Sequence, residues 1–403
     1  MKKHFTYFFL LILFNSCIEE IEFNESSFDQ ILIVDATLTD EYKKHQIKLQ
    51  RTTTLKSNDT ILEKNAIVTI IDNTLKTYSY TEKQVGVYES NLPFKAELGK
   101  QYSLQITTSD GEKYESSFEK IQGINDIDEI YVETGTDFYG EEGLNIFVKS
   151  ESVNREAKYY KYKYKETYKI IAPRYSPTSL RIVSDVYPWK VEKYYHNEIR
   201  EICYNTINSI NIIQTETNSL SENKALKSVR FIKKNDSITA HRYSIEVEQQ
   251  VQSYEAYTYL KTLSKLSNSE NVFSQSQQGF LQGNISSITS NKKAIGFFEV
   301  NSVSKKRIFF NHTDIFPEHY INTRKSCLVY APPLTEYFVD KQGNLIPDKE
   351  FSPLIELLKA GLLYYEDNKT ITLDNPGTYR IVKKRCGDCR VYGSNIKPDF
   401  WID

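Results

Sequence analysis

The sequence predicts a mainly β protein: an N-terminal immunoglobulin-like β-sandwich followed by a larger β-rich domain with one helical insertion. Three observations carry this expectation. There are 30 Tyr and 21 Phe against a single Met, the initiator, and aromatic side chains of this kind favour half-buried strand faces over helix interiors. Short alternating apolar and polar runs, separated by turn residues, recur from Ile31 to Ile121. Helical spacing is clear at one place, after Ser253.

The chain opens with Lys2 and Lys3, an apolar run from Phe5 to Phe14, and then Asn15, Ser16 and Cys17. Such a run is too short to span a bilayer as a stable helix, and its basic front and small residue before the cysteine fit a cleaved export signal over residues 1–16. The economical reading makes Cys17 the acylated first residue of a bacterial lipoprotein. The plainer alternative makes it the first residue of an ordinary secreted chain, and Asn15 is unusual two places before a lipidated cysteine. Residues 17–30 then form a tether. Its Glu19, Glu20 and Glu22 resemble the acidic signal with which some Gram-negative bacteria send lipoproteins to the cell surface, or form a solvated acidic linker.

From residue 31 to 121 strands are expected at 31–38, 46–53, 66–72, 75–80, 86–89, 102–107 and 113–119. Asp110-Gly111 joins the last two as a hairpin turn. Leu98-Gly-Lys-Gln-Tyr102 looks like a tyrosine corner, in which the hydroxyl bonds back to upstream backbone, so Tyr102 is expected to be structural. Residues 122–128 form a junction. Within the larger unit, 122–403, strands are expected at 127–133, 144–149, 158–171, 241–247, 294–300 and 306–311, and the polar stretch 205–224 reads as an irregular excursion. In 158–171, Tyr160, Tyr162 and Tyr164 share one strand face and Lys161, Lys163 and Lys165 the other, a sheet face with an aromatic ligand platform as the alternative. Ser253 can cap a helix near 253–267 whose Tyr257, Leu260, Leu263 and Leu266 pack on the sheet or form a partner groove. A second helix is expected from Pro353 to Ala360, ended by Gly361.

Besides Cys17 there are four cysteines, Cys203, Cys327, Cys386 and Cys389. An even number in an exported chain indicates two disulfides. Three pairings are open. Bridging Cys386 to Cys389 would close a small strained ring, which favours each of them reaching back to Cys203 or Cys327. Redox chemistry at Cys386-Gly-Asp-Cys389 would require a helix start in a thioredoxin-like setting, and zinc would require two further ligands.

The chain has 51 basic and 53 acidic residues, and loss of residues 1–16 removes Lys2 and Lys3, leaving 49 against 53 and a net charge of about −4. With a pI near 6.4, that balance argues against a nucleic-acid partner. Motifs for a nucleophilic serine, a phosphate loop or a zinc helix are absent from the sequence. His312 and His319, with Asp314 and Glu318 near them, are the best metal candidates, but Pro317 interrupts any helix there and a surface loop is the simpler expectation. Acidic groups such as Asp126, Asp128 and Glu129, or Glu141 and Glu142, would do acid-base work only if brought together in a cleft. No metal, cofactor or catalytic residue is therefore assigned.

Several stretches are familiar together: Ile31-Leu-Ile-Val-Asp35-Ala-Thr-Leu-Thr; Gln282-Gly-Asn-Ile285; Phe297-Phe-Glu-Val-Asn-Ser-Val-Ser-Lys-Lys-Arg307; and Cys386-Gly-Asp-Cys389-Arg-Val-Tyr-Gly393 through Lys397-Pro-Asp-Phe-Trp401. They resemble a family of bacterial surface lipoproteins called domain of unknown function 4249, over nearly the whole mature chain. The resemblance implies genes placed beside a TonB-dependent outer-membrane transporter and no established enzymatic activity. The expected function is thus a surface-exposed outer-membrane lipoprotein that partners such a barrel in nutrient capture, with Tyr168, Phe400 and Trp401 as candidate contacts, although the simpler reading of Trp401 is that it closes the core of the second domain. The alternatives are an extracellular hydrolase and an adhesin or envelope-assembly component.

Overall fold

The computed structural model describes residues 30–53, 61–151, 156–218, 223–267, 280–366 and 378–403. The expected signal peptide, Cys17 and nearly all of the tether lie outside the described residues. The protein is mainly β, and among the described residues no helix is long and apolar enough to cross a membrane.

Leu32, Val34, Ala36 and Leu38 alternate along the strand Leu32–Thr39 and all are buried, the period-two pattern of a strand with one face in a core. From this strand the hydrogen-bonded ladder runs through Gln46–Arg51, Val87–Ser90, Thr77–Gln84, Ile67–Asp72, Tyr102–Thr107 and Lys113–Ser116 to Ile285–Ser287 at the edge. Its inward faces share one core that includes Leu49, Ile70, Tyr88, Leu104 and Ile106. Tyr102 closes it as a tyrosine corner: its hydroxyl accepts a 2.9 Å hydrogen bond from the Glu97 backbone N–H, and the side chain is fully buried.

On its other side Leu32–Thr39 pairs with a strand from far down the chain, and here the structure corrects the expectation. The two strands expected at 294–300 and 306–311 are one strand of 18 residues, Ala294–Asn311. Its first half runs parallel to Leu32–Thr39, from Leu32 opposite Ala294 to Thr39 opposite Asn301. Its second half runs antiparallel to Arg242–Gln252, from Ser302 opposite Val251 to Asn311 opposite Arg242. The polar stretch in the middle resembles a turn in sequence because it crosses between two cores, where its groups find partners. Ser302 Oγ donates to the Gly123 carbonyl at 2.6 Å, the Val303 N–H donates to Asp40 Oδ1 at 2.9 Å, and Lys305 pairs with Glu41. One strand therefore supplies Phe298 and Val300 to the first core and Phe310 to the second.

The ladder continues through Arg242–Gln252 and Tyr159–Ile171 to Ile202–Asn208, and a separate sheet of Glu129–Thr136, Glu142–Glu151 and Lys224–Lys233 contributes to the second core. Tyr160 and Tyr162 are fully buried there, with Tyr164 and Tyr168 partly covered, as a sheet face requires. On the opposite face Lys163 and Lys165 are exposed but Lys161 is buried, with its Nζ 2.5 Å from Glu299 Oε1. The excursion expected at 205–224 is also corrected. Ile202–Asn208 and Ile213–Glu216 both pair with Tyr159–Ile171. Their polar side chains make cross-strand bonds, including Thr167 Oγ1 to Thr206 Oγ1 at 2.9 Å.

The helix Tyr254–Ser267 is capped by Ser253, whose Oγ accepts from the Ala256 N–H. Of its expected stripe, Tyr257 is buried and Leu260 and Leu263 pack beside the buried Ala256 and Tyr259 against Phe297, while Leu266 is exposed. The second helix, Pro353–Lys359, has Ser352 as N-cap, and Gly361 follows it in the left-handed region at φ 85°.

Candidate functional site

The most built-up region outside the two cores surrounds the disulfides. Cys203 on the edge strand Ile202–Asn208 bonds Cys389, and Cys327 bonds Cys386, each with Cα atoms 5.6 Å apart. Cys386 and Cys389 each reach back, as the strain argument favoured. They sit in two short helical turns, Lys384–Gly387 and Cys389–Val391. The Arg174 N–H donates to the Cys386 carbonyl and the Cys389 N–H to the Arg200 carbonyl, both at 2.9 Å. Asp388 accepts from the Arg390 N–H and guanidinium. Burial pushes its carboxyl up, but Arg390 outweighs this and the net direction is down. Gly393 lies so close to the edge strand that a Cβ would stand 2.4 Å from the Tyr204 carbonyl oxygen. The Cys386 to Gly393 segment is thus a clamp that docks the C-terminal region on the sheet edge.

Between the clamp and the strand Tyr159–Ile171 lies a cavity of about 270 Å³, walled by Cys327 and Cys389 and reached by Tyr168, Lys169, Asn205, His241, Arg385 and Tyr392. No Asp or Glu is among its lining residues. Tyr168 is held by Asn205, whose side-chain amide donates to the hydroxyl at 2.8 Å. Lys169 is paired with Asp403 at 3.2 Å. His241 Nε2 is buried without a hydrogen-bond partner among the described residues; burial, together with the positive charge of Lys169, holds its imidazole below the usual 6.5, so it is neutral at physiological pH. Sequence reasoning named Tyr168, Cys327 and Cys389 from this set, the cysteines only as disulfide partners. The others are separated by up to some two hundred residues, and no motif spacing links them.

A second surface lies on the same C-terminal region. The hairpin Tyr337–Val339 with Leu345–Pro347 exposes Tyr337, Phe338, Val339, Leu345 and Ile346. It neighbours the hairpin Thr178–Ser184 with Lys190–Tyr195, tied to it where Trp189 Nε1 donates to the Asp348 carbonyl at 3.4 Å and Lys349 lies over the Tyr187 ring. Exposed Val183, Val186, Tyr187 and Phe351 extend the apolar area.

The other expected site residues are placed as follows. Trp401 is buried, edge-on to Tyr204 and Phe309 at 4.9 and 5.7 Å. Phe400 is partly covered by the Arg307 guanidinium, 3.7 Å from its ring centre. Trp401 is therefore packing and not a free contact, and Phe400 is largely committed as well. His312 is no loop residue: it is buried in the short helix His312–Ile315, with Nδ1 3.1 Å from Thr239 Oγ1 and Nε2 2.9 Å from His319 Nδ1. Burial and then His319 hold it below the usual value. Asp314 accepts from Asn311, so its carboxylate is spent on the helix start. Among the described residues no three His, Cys, Asp or Glu side chains are grouped to hold a metal ion. Of the acidic candidates, Glu141 pairs with Lys233, Glu142 with Lys234, and Asp128 accepts from the Glu151 N–H. They are surface partners, not a catalytic pair in a cleft.

No curated protein matches the chain. A family described as Domain of unknown function (DUF4249) matches residues 18–307, ending inside the strand Ala294–Asn311 that joins the two cores and before the clamp. With some seven-tenths of its length matched, the chain belongs to the DUF4249 family.

Proposed function

We propose that this protein is a lipid-anchored outer-membrane protein, exposed at the cell surface, that binds a TonB-dependent barrel as an accessory in nutrient capture and is not itself an enzyme. The observation that carries the reading is the hairpin Tyr337–Val339 with Leu345–Pro347, which exposes apolar side chains on both of its sides, on a region cross-linked by two disulfides. A cluster of exposed large apolar side chains on a short hairpin is characteristic of interaction sites. It replaces Phe400 and Trp401 as the expected contact. The export signal and Cys17 support the anchor, and confinement to the membrane plane raises effective concentration, so that a modest interface suffices.

The test is a photo-crosslinking residue at Phe338 in intact cells, with metabolic labelling by a palmitate analogue. An outer-membrane barrel should be captured from the wild type, and Cys17→Ser should lose both the label and the crosslink. Capture of no barrel, or turnover of a soluble polymer by the purified protein, would overturn the proposal, the latter in favour of a hydrolase.

A further inference from the structure

The geometry points to a second binding site: the cavity between the Cys386–Gly393 clamp and the strand Tyr159–Ile171 takes an acidic sugar unit, the end of an extracellular glycan carrying a carboxylate or a sulfate ester. The proposal rests on the chemistry of the walls. They contain Arg385, Lys169 and His241 and no carboxylate, which suits an anion and offers a cationic ligand no counter-ion. Lys169 is already bonded to Asp403, so the ligand's acid group falls to Arg385, an exposed side chain on the cavity wall with no ion-pair partner among the described residues. A guanidinium matches a carboxylate or sulfate through two parallel donors.

The remaining lining groups match the rest of a sugar. Tyr168 and Tyr392 supply aromatic surface, and Ser237, Thr323, Ser326 and Asn205 supply hydroxyl and amide groups that exchange hydrogen bonds with ring hydroxyls. His241 Nε2, buried and unpartnered among the described residues, is the group whose satisfaction a ligand would add; a buried polar atom left unpaired costs free energy. The volume, about 270 Å³, lies at the small end of ligand cavities and suits one ring rather than a long chain. Both disulfides contribute a wall residue, so the site is preformed rather than assembled on binding.

The inference is independent of the barrel proposal, because it is read on purified protein without a membrane. Isothermal titration of the mature, oxidised protein with D-glucuronate, glucose 6-sulfate, glucose and inorganic sulfate is the experiment. Binding of D-glucuronate, of glucose 6-sulfate, or of both is expected, each well above glucose and above sulfate alone, and the two acidic probes separate carboxylate from sulfate ester as the source of charge. Arg385→Ala should weaken the acidic sugar about tenfold, the loss of one charge-assisted contact, and Arg385→Lys should recover part of it. His241→Phe should also weaken binding, with the thermal midpoint of each variant confirming that it is folded. The proposal fails if neither acidic sugar binds, if glucose or free sulfate binds as tightly, or if folded Arg385→Ala binds unchanged.

Discussion

Glu299 shows how single residues hold the junction between the two cores. It is buried on the Ala294–Asn311 strand, with Lys161 at 2.5 Å and Gln252 and Asn301 donating to its other oxygen at 2.7 and 3.1 Å. Burial pushes its carboxyl up, but Lys161 and these donors outweigh that, so its folded value lies below the ordinary 4.5. A depressed carboxyl stabilises the fold in full above its unfolded value, and the contribution is lost as the pH falls through the folded one. Glu299→Ala should therefore cost about 3–5 kcal/mol at neutral pH, since it strands Lys161, and the difference from the wild type should shrink in urea titrations run below pH 4.5. Gly283, in the Gln282-Gly-Asn motif, makes a different demand. A Cβ there would lie 1.7 Å from the Gly296 carbonyl oxygen, while Asn284 brackets the Phe298 backbone, accepting from its N–H and donating to its carbonyl at 2.8 and 3.0 Å. Gly283→Ala should destabilise by about 1–3 kcal/mol or more, because backbone and not a mobile side chain must move; the midpoint of urea unfolding checks it. The motif was visible in the sequence. Its reason, a close approach between segments joined only in space, was not.

At the scale of elements, the strands and both main helices were largely legible, since alternation and capping residues act locally: Tyr102–Thr107 was placed to the residue, and Ser253 caps its helix as expected. The errors fall where polar residues sit inside strands. The stretches 301–305 and 205–208 read as breaks, yet their side chains are satisfied by groups from distant elements. Of the two readings weighed for Trp401, the packed one holds, since Tyr204 and Phe309 cover it; composition alone does not reveal what covers a ring. The clamp depends on its two bridges. Alkylation followed by mass mapping without reduction should find no free thiol among Cys203, Cys327, Cys386 and Cys389. The double variant Cys203→Ser with Cys389→Ser, which opens a bridge across 186 residues, should lose about 2–5 kcal/mol of stability.

At the scale of the whole molecule, the Ala294–Asn311 strand makes the first core depend on residues far beyond position 121. Expressed alone, residues 31–121 would leave the edge of Leu32–Thr39 unpaired and its core without Ile285, Phe298 and Val300. That fragment is expected to aggregate or show poorly dispersed amide resonances, and adding residues 280–311 as a second chain should restore order. The sequence by itself determined the mainly β class, the alternation of most strands, the two main helices and the role of Tyr102, and it favoured the reach-back of Cys386 and Cys389. Each of these follows from local periodicity, capping chemistry or the short spacing between groups. Only the tertiary structure decided that one strand belongs to two cores, that Lys161 and Glu299 pair 138 residues apart, and that Tyr168, His241 and Arg385 meet in one cavity. The physical reason is that such contacts are set by sheet register and chain crossing, and residues brought together by register carry no spacing signal along the chain.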